Sequence, residues 1–448
     1  MFRLKALASV LALALLLPAA AFAQADTGSA DFSRYVAIGD SLTAGFMSGG
    51  LVETAQRNSY PALIYRQATG QTSGFEQPLV TAPGIPALLQ LTSLSPLVIA
   101  PGGGRGNPAN LNLQRPYNNL AVPGARVHNT VTTVTDNGGL HDLILRGLGT
   151  AVQQAVALRP TFVTIWIGNN DVLAAATSGR VIEGVTLTPV ASFEADFRAI
   201  AAAIAATGAD MAFANIPDVT SIPFVTTIQR VVVNPATNQP VIVNGNTVPL
   251  IGPNGLLGPN DRVLLTATAE LQQGRGIPAQ LGGSGLPLSD AVVLDANEIA
   301  TINARVQAYN TIIRAVAAER SAAFVDANAL LRTLATSGIS VGGVTFTSAF
   351  LTGGIFSYDG VHPTAFGYAF LANAFIDAIN DQFDAEIPPV NLFPFMFGTA
   401  SAASSVTAAF ELDIEPVGAP LLTPAAIRNL FWALNVDTTP RKRPRGRR

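Results

Sequence analysis

The 448-residue chain contains no cysteine. Disulfides, thiolate metal sites and a lipid-anchoring cysteine are thereby excluded. It has only three histidines, His128, His141 and His362, and no His-Glu-x-x-His spacing, so no zinc site is expected. Only 12% of residues are charged. Beyond residue 23, every strongly apolar window is broken by Pro, Gly, Asn or Arg, so no membrane-spanning helix of about 20 residues is expected. With two tryptophans, aromatic platforms for sugars are few.

What is present points to an exported globular protein. Arg3 and Lys5 precede an apolar run from Ala6 to Leu17, and Ala21-Phe22-Ala23 supplies a small-x-small cleavage pattern. Residues 1–23 thus read as a signal peptide, cleaved before Gln24. The destination is the periplasm or the medium. Without disulfides the mature chain must hold itself together by burial, and 49% hydrophobic content over more than 400 residues is enough for that.

Charge is uneven. Arg441–Arg448 carries 6 of the 26 basic residues and the leader carries 2, which leaves 18 against 29 acidic residues, a body charge of −11. An acidic body argues against nucleic acid as the main partner. The basic tail is a candidate for weak contact with anionic lipid or polysaccharide; its plainer reading is a disordered, solubilising end.

Periodicity alternates between strand and helix. Strands are expected at Tyr35–Ile38, Asn119–Val122, Phe162–Ile167, Asp210–Asn215 and Phe324–Asp326. Helices are expected at Pro61–Gln67, Leu143–Leu158, Phe193–Ala206, Asp295–Glu319 and Pro363–Ile379. Asp295 with Glu298 forms a capping-box pattern. Such alternation implies an α/β fold, a mostly parallel sheet covered on both faces. Ala82–Asn118 reads as a long loop. Thr226–Ser289, rich in Val, Asn, Gly and Pro, reads as an insertion, either a lid or a small β subdomain. The main domain spans residues 24–387. Residues 388–448 form a C-terminal extension with an aromatic cluster (Phe393, Phe395, Phe397) and a short helix from Pro424 to Leu434, capped by Thr423.

Four short blocks carry chemistry. Ser41, in Gly39-Asp40-Ser41-Leu42, follows the first strand and opens a helix, where ligands bind in doubly wound sheets. A serine there is also a common helix cap. Gly124 ends Asn119-Leu120-Ala121-Val122-Pro123-Gly124, and lacking a Cβ it can bring its N–H close to a ligand. Asn170, in Gly168-Asn169-Asn170-Asp171, can donate its amide to an oxyanion. His362 follows Asp359 by three residues, placing a carboxylate where it can orient one ring nitrogen and leave the other free. Each block alone is equally explained by turn chemistry.

Together and in this order, the blocks resemble the signature of the GDSL/SGNH serine hydrolases. That resemblance implies a three-layer α/β/α fold with a flavodoxin-like parallel sheet and ester hydrolysis through an acyl-enzyme, with no cofactor. It implies Ser41 as nucleophile, His362 as base and Asp359 as its orienting acid. Ser41 and Gly124 N–H and the Asn170 side chain would form the oxyanion hole. Asp40 and Asp171 match structural positions of the motif. Apolar loops around Ile85–Ala100 favour lipid or short-to-medium acyl esters; the alternatives are a polysaccharide O-acetyl esterase and a non-catalytic exported binder of glycan or lipid. The motif Gly338-Ile339-Ser340-Val341-Gly342 fits the nucleophile elbow of another hydrolase fold, but a helix-like stretch precedes it where that fold requires a strand, so it is expected to be a loop. His128 and His141 are expected to be polar surface or loop residues.

Overall fold

The computed structural model describes residues 24–94, 96–396 and 420–436. The signal-peptide segment, Phe397 and the basic tail lie outside them. The central sheet contains β1 (Tyr35–Gly39), β2 (Phe162–Trp166), β3 (Asp210–Ala214) and β4 (Ala323–Val325), paired in that order and all parallel. Ile38 stands opposite Ile165, and Ile165 opposite Phe213. Asn119 makes a parallel bridge to Ala37 on the outer side of β1. The N–H groups of Leu120 and Val122 continue that edge by donating to Ala37 and Gly39 carbonyls at 2.9 and 3.1 Å. With this short fifth element the first two chain segments are reversed in space, the flavodoxin-like order, and a crevice opens beyond the C-terminal ends of β1 and β2.

β1 and β2 are buried throughout, as expected where helices cover both faces of a parallel sheet. Alternate residues face different layers. Tyr35, Phe162 and Trp166 lie in one cluster with α2 (Tyr60–Thr69) and α7 (Ala365–Phe383). Val36, Ile38, Val163 and Ile165 lie in the other, with α3 (Ala151–Ala157), α5 (Val190–Ala205) and α6 (Ala296–Glu319). The chain therefore forms a three-layer α/β/α sandwich. Stacked rings lock each layer: Tyr60 on Phe375 at 4.5 Å and Phe193 on Tyr309 at 3.9 Å between centroids. Asp295 caps α6 with its carboxylate on the Asn297 and Glu298 N–H groups, and Glu298 returns the bond.

Four expectations need correction. The helix anticipated over Leu143–Leu158 is two helices, Leu140–Leu145 and α3, because Arg146, Gly147 and Gly149 take positive φ between them. The long loop contains an antiparallel hairpin, Leu89–Leu94 with Leu97–Pro101. Helix α7 starts at Ala365 with Thr364 as its cap, so Pro363 precedes the helix. Gly338–Val341 is not a loop: Ile339–Val341 pairs with Val344–Phe346, and no helix follows Ser340.

Segment 226–289 is a run of tight turns. Its strands are two residues long, at Ile242–Val243, Asn246–Thr247, Ile251–Gly252, Gly255–Leu256 and Arg262–Val263, and the last pairs with Val293–Leu294 outside it. Leu250, Val263, Leu264 and Leu265 are buried and tie it to the main core. In the extension, α8 (Pro424–Ala433) is capped by Thr423, and Leu421–Leu422 pairs in parallel with Val98–Ile99 of the hairpin. Among the described residues no helix is long and apolar enough to cross a membrane.

Candidate active site

Ser41 is the first residue of the one-turn helix α1 (Ser41–Ala44), directly beyond β1. Asp40 caps that turn, its Oδ1 accepting the Leu42 N–H at 3.0 Å. Gly39 is required at the strand end, because a Cβ there would fall 2.0 Å from Thr43 Oγ1. The side chain is buried, as Ser41 is only 3% exposed.

The other blocks are knitted to this turn by side-chain amides. Asn119 Nδ2 donates to the Thr43 carbonyl at 2.9 Å and anchors the Gly124 block. Asn169 Nδ2 donates to Asp40 Oδ2 at 2.8 Å and anchors the block after β2. Asn170 Nδ2 donates one hydrogen to the Ala125 carbonyl at 3.0 Å, leaving the second available. Asp171 Oδ2 accepts the Val127 N–H at 2.9 Å. Gly124, at φ +79°, occupies a conformation that favours glycine. Burial pushes the Asp40 and Asp171 carboxyls up to about 6; hydrogen bonds from Asn169 and Leu42, and from Thr188 and Val127, pull each partly back.

His362 and Asp359 reach the same place from the other end of the chain. His362 Nδ1 and Asp359 Oδ2 are 2.9 Å apart, both residues fully buried. Asp359 Oδ1 also accepts the Val361 and His362 N–H groups at 2.9 and 2.8 Å. Burial pushes this carboxyl up, but the adjacent imidazole and these donors outweigh it and hold it below the ordinary carboxylate range. His362 Nε2 is buried and makes no hydrogen bond in this structure, to Ser41 or to anything else.

Two contacts tie the histidine loop to the serine loop. Gly49 N–H donates to Asp359 Oδ2 at 2.8 Å, and the Phe46 ring lies 4.7 Å from the His362 ring. Phe46 N–H in turn donates to the Ser41 carbonyl at 3.0 Å. Tyr368 on α7 donates to the Phe46 carbonyl and lies 3.5 Å from that of Ser41. All five residues singled out from the sequence, Ser41, Gly124, Asn170, Asp359 and His362, thus lie on loops joined by direct or one-step contacts. Asn119 and Asn169 were within the recognised blocks, but their tethering function was not read. Gly49 and Tyr368 carry no local signal, because their partners are more than 300 residues away.

The two remaining histidines also bind carboxylates. His128 Nδ1 meets Asp196 at 2.9 Å on the surface. His141, expected at the surface, is instead only 7% exposed, with its Nδ1 3.0 Å from Asp136 Oδ2. Asp136 also accepts the N–H groups of His141 and Asp142, so this pair closes the start of the helix Leu140–Leu145. Among the described residues no cluster of three or more His, Asp or Glu is arranged to hold a metal ion.

Residues 35–375, three-quarters of the chain, match the GDSL-like lipase/acylhydrolase family. The chain belongs to that family. It is accordingly a carboxylic ester hydrolase with the SGNH fold. Among solved structures it is similar to the acetylxylan esterase Axe2 from Geobacillus stearothermophilus, at 16% identity over 77% of this chain and 93% of that one, with a TM-score of 0.34. It is also similar to TesA, at 13% identity over 78% and 98% of the two chains, with a TM-score of 0.32. A search of curated protein sequences found no match. The family assignment rests on the sequence match and the sheet, not on these neighbours.

Proposed function

We propose that this chain is an exported serine esterase that acts through Ser41, His362 and Asp359 on lipid or short-to-medium acyl esters. The observation that carries the reading is the Asp359–His362 pair, with Nδ1 held and Nε2 free, on a loop bonded to the one that bears Ser41. In apo enzymes the nucleophile–base hydrogen bond is often absent and forms only with substrate.

The reaction follows from these groups. As Ser41 Oγ bonds to the ester carbonyl carbon, its proton passes to His362 Nε2, and Asp359 stabilises the imidazolium. The carbonyl π pair becomes an oxyanion, held by the Ser41 and Gly124 N–H groups and the second hydrogen of the Asn170 amide. The C–O bond to the alcohol then breaks, and His362 returns its proton to the leaving oxygen. Water attacks the acyl-enzyme, gives its proton to His362, and releases the acid with Ser41 restored.

An apolar cavity of about 640 Å³ supports the acyl preference. It lies between the hairpin and segment 226–289, lined by Leu97, Ile228, Val232, Leu250, Leu271 and Phe350 among others. That size suits a small-molecule ligand. Export is supported by the basic and apolar leader and by Ala21-Phe22-Ala23. N-terminal sequencing of the mature protein should begin at Gln24; an intact Met1 in the exported fraction contradicts export by cleavage.

The activity is tested with nitrophenyl esters from acetyl to palmitoyl. Hydrolysis that peaks above acetyl and disappears in Ser41→Ala is expected. Turnover of acetyl esters alone would replace the acyl reading with an O-acetyl esterase, and inactivity on every ester would overturn the enzyme.

A further inference from the structure

Residues 420–436 lie beyond the family match, yet they reach both the cavity and the catalytic loops. At one end, Pro420 lines the apolar cavity. Leu421–Leu422 then adds a parallel strand to Val98–Ile99, and the Thr423 N–H donates to the Ile99 carbonyl at 3.0 Å. The other edge of that hairpin bonds to the serine loop, Leu89 N–H donating to the Ser48 carbonyl. The segment is thus anchored to the same loop system that carries Ser41 and Asp359.

At its other end the segment sits on the Gly124 loop. A Cβ built on Gly124 would fall 2.6 Å from the Ala433 carbonyl oxygen, 3.0 Å from the Leu434 carbonyl carbon and 3.1 Å from the Asn435 nitrogen. Those distances put the backbone of 433–435 in van der Waals contact with the glycine proposed to donate to the oxyanion. Phe431 lies 6.5 Å from the Phe224 ring, and Phe224 N–H donates to the carbonyl of Gly360, between Asp359 and His362. Ala426, Leu430, Ala433 and Leu434 are 0–3% exposed and belong to the main core cluster. Helix α8 is therefore packed as firmly as the scaffold helices. With Ser41 and Asn170 each 3% exposed and His362 fully buried, whatever encloses the catalytic groups also limits what can reach them.

We infer that residues 420–436 form a wall of the ester-binding site, running from the oxyanion loop to the apolar cavity, and that Leu434 is a specificity-determining residue for acyl length. The inference rests on the serine-esterase reading above. A shortened residue at 434 opens space next to Gly124 on the side of the cavity; a larger one closes it. One methylene of fit in an apolar pocket changes discrimination by about 10–200-fold at most.

The test compares kcat/KM for octanoyl and acetyl nitrophenyl esters in wild type, Leu434→Ala and Leu434→Trp. The octanoyl-to-acetyl ratio should rise at least fivefold with alanine and fall at least fivefold with tryptophan. Ratios within twofold of wild type, in variants that still react with a fluorophosphonate at Ser41, overturn the wall while leaving the serine esterase intact. Absence of any such adduct in wild type overturns both. A second measurement uses the unaltered protein, in case the variants do not fold. Hydrogen exchange of 420–436 should change when Ser41 carries a long-alkyl phosphonate and stay unchanged with a methyl phosphonate. Equal exchange in the two adducts contradicts the wall.

Discussion

Two histidines in this molecule have nearly the same immediate surroundings. His362 binds Asp359 at 2.9 Å and His141 binds Asp136 at 3.0 Å, each through Nδ1. Both leave Nε2 buried without a hydrogen bond. Both carboxylates accept the backbone N–H of their own histidine, and both are held below the ordinary range because such donors outweigh the upward push of burial. What separates them is the rest of the chain. Asp359 also accepts from Gly49, 310 residues away, which fixes the pair against the serine loop at the crevice of the sheet. All the N–H donors to Asp136 Oδ1 and Oδ2 come from its own helix start. A held imidazole becomes a base only where a topology delivers a nucleophile to it, and here that is the C-terminal edge of β1 and β2.

The sharpest way to break the comparison is to remove each histidine. Loss of the nucleophile or base of a triad costs about 10⁴–10⁶ in kcat. Ser41→Ala and His362→Ala should each fall in that range on nitrophenyl esters, while His141→Ala stays within about twofold of wild type. For His141→Ala the effect should instead be on stability, about 1–3 kcal/mol in urea unfolding, from the buried Asp136 partner it leaves behind. If His141→Ala lost as much activity as His362→Ala, topology would not be the discriminating feature.

The carboxylates sharpen the same contrast. Asp359→Asn should lower kcat about 10⁴-fold, because an amide favours the wrong tautomer of His362. Asp136→Asn should leave kcat within about twofold. An intermediate loss of about 10²–10³ is expected for Asn170→Ala, with KM little changed, since its donor is needed in the transition state. A rise in KM at constant kcat would make Asn170 a ground-state contact instead.

The smallest effect concerns Asp171, which belongs to the scaffold of the site. Its folded-state value of about 6 exceeds the ordinary 3.8 because burial disfavours the charge. Between these values the folded state binds more protons than the unfolded state, so stability from this group falls as pH rises through that window. The shift corresponds to about 3 kcal/mol when fully expressed. Asp171→Asn lacks this penalty. The stability of wild type relative to Asp171→Asn should therefore decline from pH 4 to pH 7, and a constant difference would show that Asp171 is not protonated at the lower pH.

Elements specified by adjacent residues were legible in the sequence. The β-branched run at Phe162–Trp166 and the Asp295–Glu298 cap needed no tertiary information. The Leu89–Leu94 strand alternates buried and exposed side chains, but Pro and Gly on both sides obscured it. Leu143–Leu158 was misread because its apolar spacing continues past Gly147 and Gly149, where the backbone turns. The five candidate site residues were legible as motif positions, and their convergence follows from the sheet order. What was not legible is contact between segments far apart in sequence: Gly49 on Asp359, Tyr368 beside Ser41, and Ala433–Asn435 on Gly124. No local pattern encodes those, since they are consequences of packing.

The central claim is that Ser41 is the nucleophile, and the most direct test is covalent. The protein is treated with a fluorophosphonate, digested, and its adduct mapped by mass spectrometry. The account predicts one phosphonate per chain, on the peptide containing Ser41, and none in Ser41→Ala. An adduct on Ser340, or labelling that persists in Ser41→Ala, would contradict it.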